Sequence, residues 1–200
     1  MKRGLIVFLV ILAVIFIFVF AIFRWGMNTY NSMVSNREAV TSQWGNVQTQ
    51  YQRRMDLIPN FVNTVKGAAN FEQKTLTDVI EARANATKVT VDPKNLTPEM
   101  LANFQKAQGG VSSALGRLMV VVEKYPELKA TQNFRDLQTE LEGTENRIAT
   151  ERKKFNDLAQ AYNVTIQRFP ASIIAGIGHF TEKPYFQAAE GADKAPEVKF

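Results

Sequence analysis

Nineteen consecutive residues, Leu5–Phe23 ("LIVFLVILAVIFIFVFAIF"), carry no charged or polar side chain. Wound as an α-helix, that run measures about 28 Å, close to the ~30 Å hydrocarbon core of a bilayer. A removable signal peptide has a shorter apolar region, about 7–15 residues, followed by small residues at the cleavage site. Here the run ends in "FAIFRWG", which is bulky where a peptidase requires small side chains. Residues 5–23 therefore read as a permanent transmembrane helix behind a short tail at 1–4, with the lipid bilayer as the first expected partner. Lys2 and Arg3 precede the span, and Arg24 and Arg37 follow it. That bias leans towards a cytoplasmic N-terminus and places the bulk of the chain outside the cytoplasmic membrane.

The absence of cysteine removes disulfides, thiolate nucleophiles and thiolate metal sites together. Net charge is +5, but Lys2 and Arg3 supply two of the 24 cations, so 22 face 19 anions in the rest of the chain. So weak and dispersed an excess is no nucleic-acid footprint, and no nucleic-acid partner is expected.

Beyond the span, apolar residues recur at Tyr30, Met33, Val40, Trp44, Val47, Tyr51, Met55, Ile58, Val62, Val65, Ala69, Leu76 and Val79. Gaps of three and four mark a helix with one buried stripe. No convincing stop comes before "TKVTVDPKNLTPE", where Thr97 is a good N-cap and Pro98 occupies the first helical position. A second stripe follows at Leu101, Phe104, Gln108, Val111, Leu115, Leu118 and Val122, ending at Tyr125-Pro126. A third starts near Glu127 and runs through Phe134, Leu137, Leu141, Glu145, Ile148, Arg152, Phe155, Ala159, Tyr162, Ile166 and Phe169 to Pro170. Sustained alternation of period two is missing, so no sheet is expected.

The expected fold is all-α: an N-terminal transmembrane helix, then an antiparallel bundle of three to four long helices over 27–170 with heptad-like, coiled-coil packing. A helix from Tyr30 to Ala86 would be about 85 Å long, against roughly 40 and 63 Å for the other two. It either overhangs as a stalk or bends near Gly67–Asn70 into two pieces. The remaining 171–200 divides into "ASIIAGIGHF", an apolar stretch suited to a membrane interface, and an irregular, partly docked tail, "TEKPYFQAAEGADKAPEVKF".

Chemistry is hard to find. A carboxylate-bridged di-metal centre in a helical bundle needs two Glu-x-x-His pairs. The single histidine, His179, is preceded three residues earlier by Gly176, and a solvent-facing or interfacial imidazole is expected there. The Walker pattern needs four residues between its glycines and then Lys-Ser/Thr. Gly110 and Gly116 enclose five residues and precede Arg117-Leu118, so Gly109, Ser112, Ser113, Ala114 and Gly116 read instead as a small-residue face that lets a neighbouring helix approach. Glu140, Glu142, Glu145 and Glu151 alternate with Arg147, Arg152, Lys153 and Lys154, the pattern of a solvated helix face. The expectation is a non-enzyme with no catalytic residue, metal site or cofactor.

The stretch "QRRMDLIPN" (52–60) is the anomaly. If Pro59 opened a new helix, a cap such as Ser, Thr, Asp or Asn should precede it, and Ile58 is none of these. The apolar stripe continues through it, so Pro59 is expected to kink a continuous helix and free the carbonyl of Met55. Asn60, Arg53 and Arg54 are candidate partners for that carbonyl, and Asp56 can reach Arg53 or Asn60. Either the polar groups satisfy one another locally, or the kink presents an arginine to another helix or subunit. Arg53, Arg54, Asp56 and Glu145 are the candidate interaction residues.

The stretch "YNSMVSNREAVTSQWGNVQTQYQRRMDLIPNFVNTVKG" (30–67) resembles the signature of the LemA family of bacterial membrane proteins. "YPELKA" (125–130), "LEGTENRIA" (141–149), "RFP" (168–170), "PYF" (184–186) and "EGADKAPEVKF" (190–200) extend the likeness over nearly the whole chain. Many members carry an aromatic residue and a histidine where this chain has Ala68 and Phe71, so no role of that histidine carries over. The resemblance implies a single-pass protein of the bacterial cytoplasmic (inner) membrane with a helical ectodomain on the periplasmic or outer side. It implies no catalytic activity. Family association with envelope proteins, including membrane metallopeptidases and TPM-domain proteins, points to such proteins as partners. Two functions follow as expectations: a self-assembling scaffold of the cell envelope, which makes a homo-oligomer, or an adaptor or regulator of an envelope protease or other membrane complex.

Overall fold

A computed structural model describes residues 2–67 and 71–188, and within them the chain is helical, without a strand. The elements are α1 (Lys2–Lys66), α2 (Gln73–Thr87), α3 (Pro98–Val122), the short α4 (Pro126–Ala130), α5 (Gln132–Gln167) and α6 (Ala171–Ile177). The first part of α1 is the apolar run, exposed from Leu5 to Phe23 in a helix long and apolar enough to cross a membrane.

The described residues form two compact units, one built from the start of the chain through Val40 with Leu158–Glu182, the other from Thr41–Asp157 with the stretch after Lys183. The second unit is a four-helix bundle of alternating direction. Gln43, Arg54 and Phe61 on α1 meet Glu151, Glu145 and Phe134 on α5, so the two helices run antiparallel. Tyr51 and Arg54 meet Phe104 and Ser112, so α3 runs parallel to α1. Helix α2 returns along both, with Arg83 on the carbonyl of Met55 and Asp78 4.0 Å from Arg117.

Every position of the second stripe is buried: Leu101, Phe104, Gln108, Val111, Leu115, Leu118 and Val122. The helix is started as expected, with Thr97 Oγ1 accepting the backbone N–H of Met100 at 3.1 Å and Pro98 in the first turn. Just upstream, the Asp92 carboxylate accepts from the Lys94 backbone and the Asn95 side chain, both at 2.9 Å. Those two bonds hold its pKa below the usual range.

The long first segment takes the bent form of the two that its length allowed: α1 stops at Lys66, Gly67 forms a turn, and α2 runs back from Gln73. Ala68, Ala69 and Asn70 lie outside the described residues. The periodic stripe hides this break because two antiparallel helices facing one core each require the same spacing. The third segment begins later than Glu127 suggests. Thr131 is extended, its hydroxyl donates to the carbonyl of Leu128 at 2.7 Å, and its own carbonyl receives the first bond of α5 from Arg135. At the other end α5 stops at Gln167 and leaves Phe169 exposed, while "ASIIAGI" forms a helix of its own, α6. The small residues of α3 divide: Ala114 is buried and Ser112 meets Arg54 of α1, whereas a Cβ added at Gly109, Gly110 or Gly116 would meet nothing within 4 Å, so no helix among the described residues packs on the glycines.

In the first unit, Met33 and Val40 on α1 are buried with Ala159, Tyr162 and Ile166 on α5 and Ala175 on α6. Tyr30 is only partly covered, its ring meeting Phe180 edge-on at 5.3 Å. Gly178 permits that contact. A Cβ there would lie 2.5 Å from the Phe180 ring and 3.0 Å from Tyr30, closer than side chains approach. His179 follows with φ 51° and is exposed, as expected of it.

Pro59 lies inside α1, and the Met55 carbonyl it frees is met by a residue that sequence reasoning passed over. Arg83 Nε of α2 donates to it at 2.8 Å. Neither Asn60, Arg53 nor Arg54 does this work. Helix α2 thus supplies the bond that proline removes from α1. Replacing Arg83 by Met should destabilise the fold by about 1–3 kcal/mol, the cost of a buried acceptor left unmet. In a Pro59→Ala background the helix regains its own N–H donor, so the same replacement should cost less. Thermal unfolding of the four proteins of this double-mutant cycle checks it; strict additivity would refute the coupling.

Candidate functional site

Positions Tyr51, Met55 and Ile58 fix which side of α1 faces the core, and Arg54 falls three residues after Tyr51, on that same side. Arg53, one step or about 100° away, points elsewhere. Their environments differ accordingly: Arg54 is 1% exposed, whereas the Arg53 side chain is 51% exposed. A buried guanidinium needs acceptors for its five donors and a counter-charge. Arg54 Nη1 donates to Ser112 Oγ at 2.8 Å and to Glu145 Oε1 at 2.9 Å. Nη2 donates to both the backbone carbonyl and the side-chain oxygen of Gln108. The Tyr51 ring lies 5.1 Å below the cation. Nε alone finds no acceptor among the described residues. Burial pushes the Tyr51 phenol above its ordinary pKa, against the opposing pull of Arg152 and Arg54.

Around this node opens a cleft of about 780 Å³ lined by Tyr51, Arg54, Gln108, Ser112, Glu145 and Arg152 among others. Its rim is made by the segment after Lys183. Asn156 donates to the Phe186 carbonyl at 2.9 Å and accepts its N–H at 2.8 Å, so one side-chain amide treats the segment as a neighbouring strand would. Gln105 does the same at Gln187, whose carbonyl also takes Arg152 Nη2 at 2.9 Å. These bonds seat the Phe186 ring on Trp44 (5.8 Å, nearly parallel) and against Phe155 (5.3 Å), with Arg152 over its other side at 4.8 Å. Lys183 reaches the Lys94 carbonyl at 3.1 Å and ties the same segment to the loop before α3. The partly docked tail of the sequence reading is therefore a packed element as far as Ala188; its remainder, 189–200, lies outside the described residues.

Of the four candidate interaction residues, the structure joins Arg54 to Glu145 and separates the other two from them. Arg53 pairs with Glu140 at 2.8 Å on the exposed side, and Asp56 accepts from Gln52 at 2.7 Å, not from Arg53 or Asn60. Sequence reasoning missed Gln108, Ser112 and Arg152 as partners. A signal was there: Gln108, Glu145 and Arg152 occupy stripe positions that otherwise hold apolar residues. Polar residues in register with a core have to find one another. Among the described residues no group of three or more His, Asp or Glu side chains is placed to hold a metal.

Two outcomes are expected. Arg54→Met, which strands Glu145 and Gln108, should cost about 3–5 kcal/mol, while Glu145→Gln, which keeps an acceptor, should cost clearly less; chemical denaturation in detergent measures both. The pH dependence has a defined sign. Lys154 at 2.8 Å and Gln43 at 2.6 Å hold the Glu151 carboxyl below its ordinary 4.5. A depressed carboxyl contributes stability that is complete above its unfolded value and is lost as the pH falls below it through the folded one. Glu151→Gln should therefore flatten the loss of stability below about pH 4.5, read from melting temperature against pH.

Comparison with known proteins supplies the context. Magnetosome protein MamQ 2 of Paramagnetospirillum magneticum is 29% identical over 82% of this chain, and MamQ of Magnetospirillum gryphiswaldense is 28% identical over the same share. The chain spans 66% of the length of these magnetosome relatives. Protein LemA of Metamycoplasma hominis is 25% identical over 80% of the chain and 69% of its own length. The model of the LemA family matches residues 43–200, from the first turn of the bundle onwards. With that match over most of its length, the chain belongs to the LemA family.

Proposed function

We propose that this protein is a non-catalytic, membrane-anchored scaffold of the bacterial cell envelope that assembles with copies of itself through the open face of its bundle. The anchor is the exposed apolar run of α1, set in the cytoplasmic membrane with the bundle on its outer side. The observation that carries self-assembly is the seam Gly109, Ser113, Gly116 and Val120 on α3. Its 4-3-4 spacing keeps it on one helix face, it is exposed throughout, and nothing stands within 4 Å of a Cβ at either glycine. Two glycines and a serine leave a shallow groove into which a second helix backbone can come close, with exposed Val120 as an apolar contact at its end. Support for a non-catalytic role comes from the cleft, where four donors of Arg54 are already committed to structural acceptors.

The test uses the absence of native cysteine. Ser113→Cys in membranes should form an oxidation-dependent cross-link between copies, and Lys153→Cys, on an exposed side of α5, should not. Mass photometry of the solubilised wild type should give multiples of the 22.5 kDa protomer. A uniform protomer with no Ser113→Cys dimer would sink self-assembly. Cross-links from the same position to a membrane peptidase would favour the adaptor role instead.

A further inference from the structure

Helix α6 follows α5 in the first unit and is held against α1. The Ile174 side chain lies 3.6 Å from where a Cβ of Gly26 would stand, an ordinary van der Waals distance, so α6 meets α1 at that level. Gly26 is three residues past Phe23, the end of the apolar run, or about 4.5 Å along the helix axis. The polar layer of a bilayer is roughly 5–7 Å deep on each side of its hydrocarbon core. A helix touching α1 at Gly26 therefore sits in that layer when the run spans the core.

What α6 presents there is apolar. Ile174 faces α1 and Ala175 is buried, but Ile173 is 55% exposed and Ile177 73%, four residues apart on one side of α6, and Phe169, just before the helix, is 83% exposed. Trp25 and Met27 on α1 are exposed at the same level. Tryptophan at this depth is a familiar interfacial anchor. Exposed Arg24 and Arg168 precede the two segments in sequence, and residues 168–181 contain no Asp or Glu, the next anion being Glu182. Arginines beside exposed isoleucines and phenylalanine suit an anionic lipid surface, where the apolar side chains enter the acyl boundary and the guanidinium groups meet phosphate.

We infer that α6 is a second membrane contact, an interfacial helix that lays Phe169, Ile173 and Ile177 into the leaflet from which α1 emerges and favours anionic headgroups. The contact closes the chain back onto the bilayer some 150 residues after α1 leaves it.

The inference rests on α1 spanning a bilayer, and the experiment separates the two. Full-length protein is reconstituted into vesicles of phosphatidylcholine with and without phosphatidylglycerol, carrying one nitroxide at Ile173→Cys, Ile177→Cys, Val14→Cys or Lys153→Cys. Collision with oxygen against a water-soluble nickel chelate reports depth. The Val14 label should be deep and the Lys153 label aqueous. The Ile173 and Ile177 labels should be lipid-exposed at the headgroup–acyl boundary, deeper with phosphatidylglycerol. If the Val14 label is deep while both α6 labels resemble Lys153, the interfacial contact is wrong. Labels shielded from both reagents would mean that protein covers this face and would overturn it too. Equal depth in the two vesicles would overturn the preference for anionic lipid. A Val14 label in water would bring down the spanning helix itself.

Discussion

A guanidinium removed from water has to be met by protein groups on nearly every side, and the bundle is arranged around meeting that demand at Arg54. Its partners come from two other helices: Gln108 and Ser112 from α3, Glu145 from α5. Apolar stripes tolerate an axial slip of one helical turn, because the side chains before and after it are similar. The arginine does not, since only one register of α1, α3 and α5 brings those acceptors to the same two nitrogens. A buried ion pair adds little net stability over a well-packed apolar replacement, while leaving one partner alone is expensive. Its effect here is on which of several similar packings is reached.

Helix positions were legible wherever one helix served one stripe. Every position of the α3 pattern is buried, Ala114 being the one buried residue of that helix outside it, and Thr97-Pro98 marked its start. Legibility failed where tertiary structure reuses a local pattern. The Gly67 break was open as a possibility, but periodicity could not decide it, because the stripe carries on into α2 in phase. Arg83 could not be found from sequence: its role is set by α2 folding back until residue 83 lies beside residue 55. The same applies to the segment after Lys183, whose prolines and charges read as irregular although Asn156 and Gln105 hold its backbone as a sheet would. "QRRMDLIPN" shows both sides. The continuity of the helix through Pro59 could be read directly, and so could the need for a substitute donor, but not its source.

The two arginines of that stretch also separate two kinds of charge. Arg53 and Glu140 lie in solvent, where such a pair contributes roughly 0–1 kcal/mol and is weakened by salt. Arg54 is out of reach of salt, and its network fixes geometry. Adjacent residues of the same type thus belong to different physics, divided by a rotation of about 100°. Membership of the LemA family attaches this arrangement to a chain whose first helix is long and apolar enough to cross a bilayer.

The aromatic cluster closed by Phe186 has a consequence for the order in which the molecule is made. Trp44 and Phe186 stack although roughly 140 residues separate them, and such a loop is slow to close. Synthesis delivers Trp44, Phe104 and Phe155 first, and each emerges into a bundle that still lacks its fourth ring. Until Phe186 arrives, the Trp44 indole has an uncovered side. The bundle thus reaches its finished core only after residue 186 has been made, with α1 by then already complete, and a chain interrupted before that segment is left with an exposed aromatic surface that quality control can recognise.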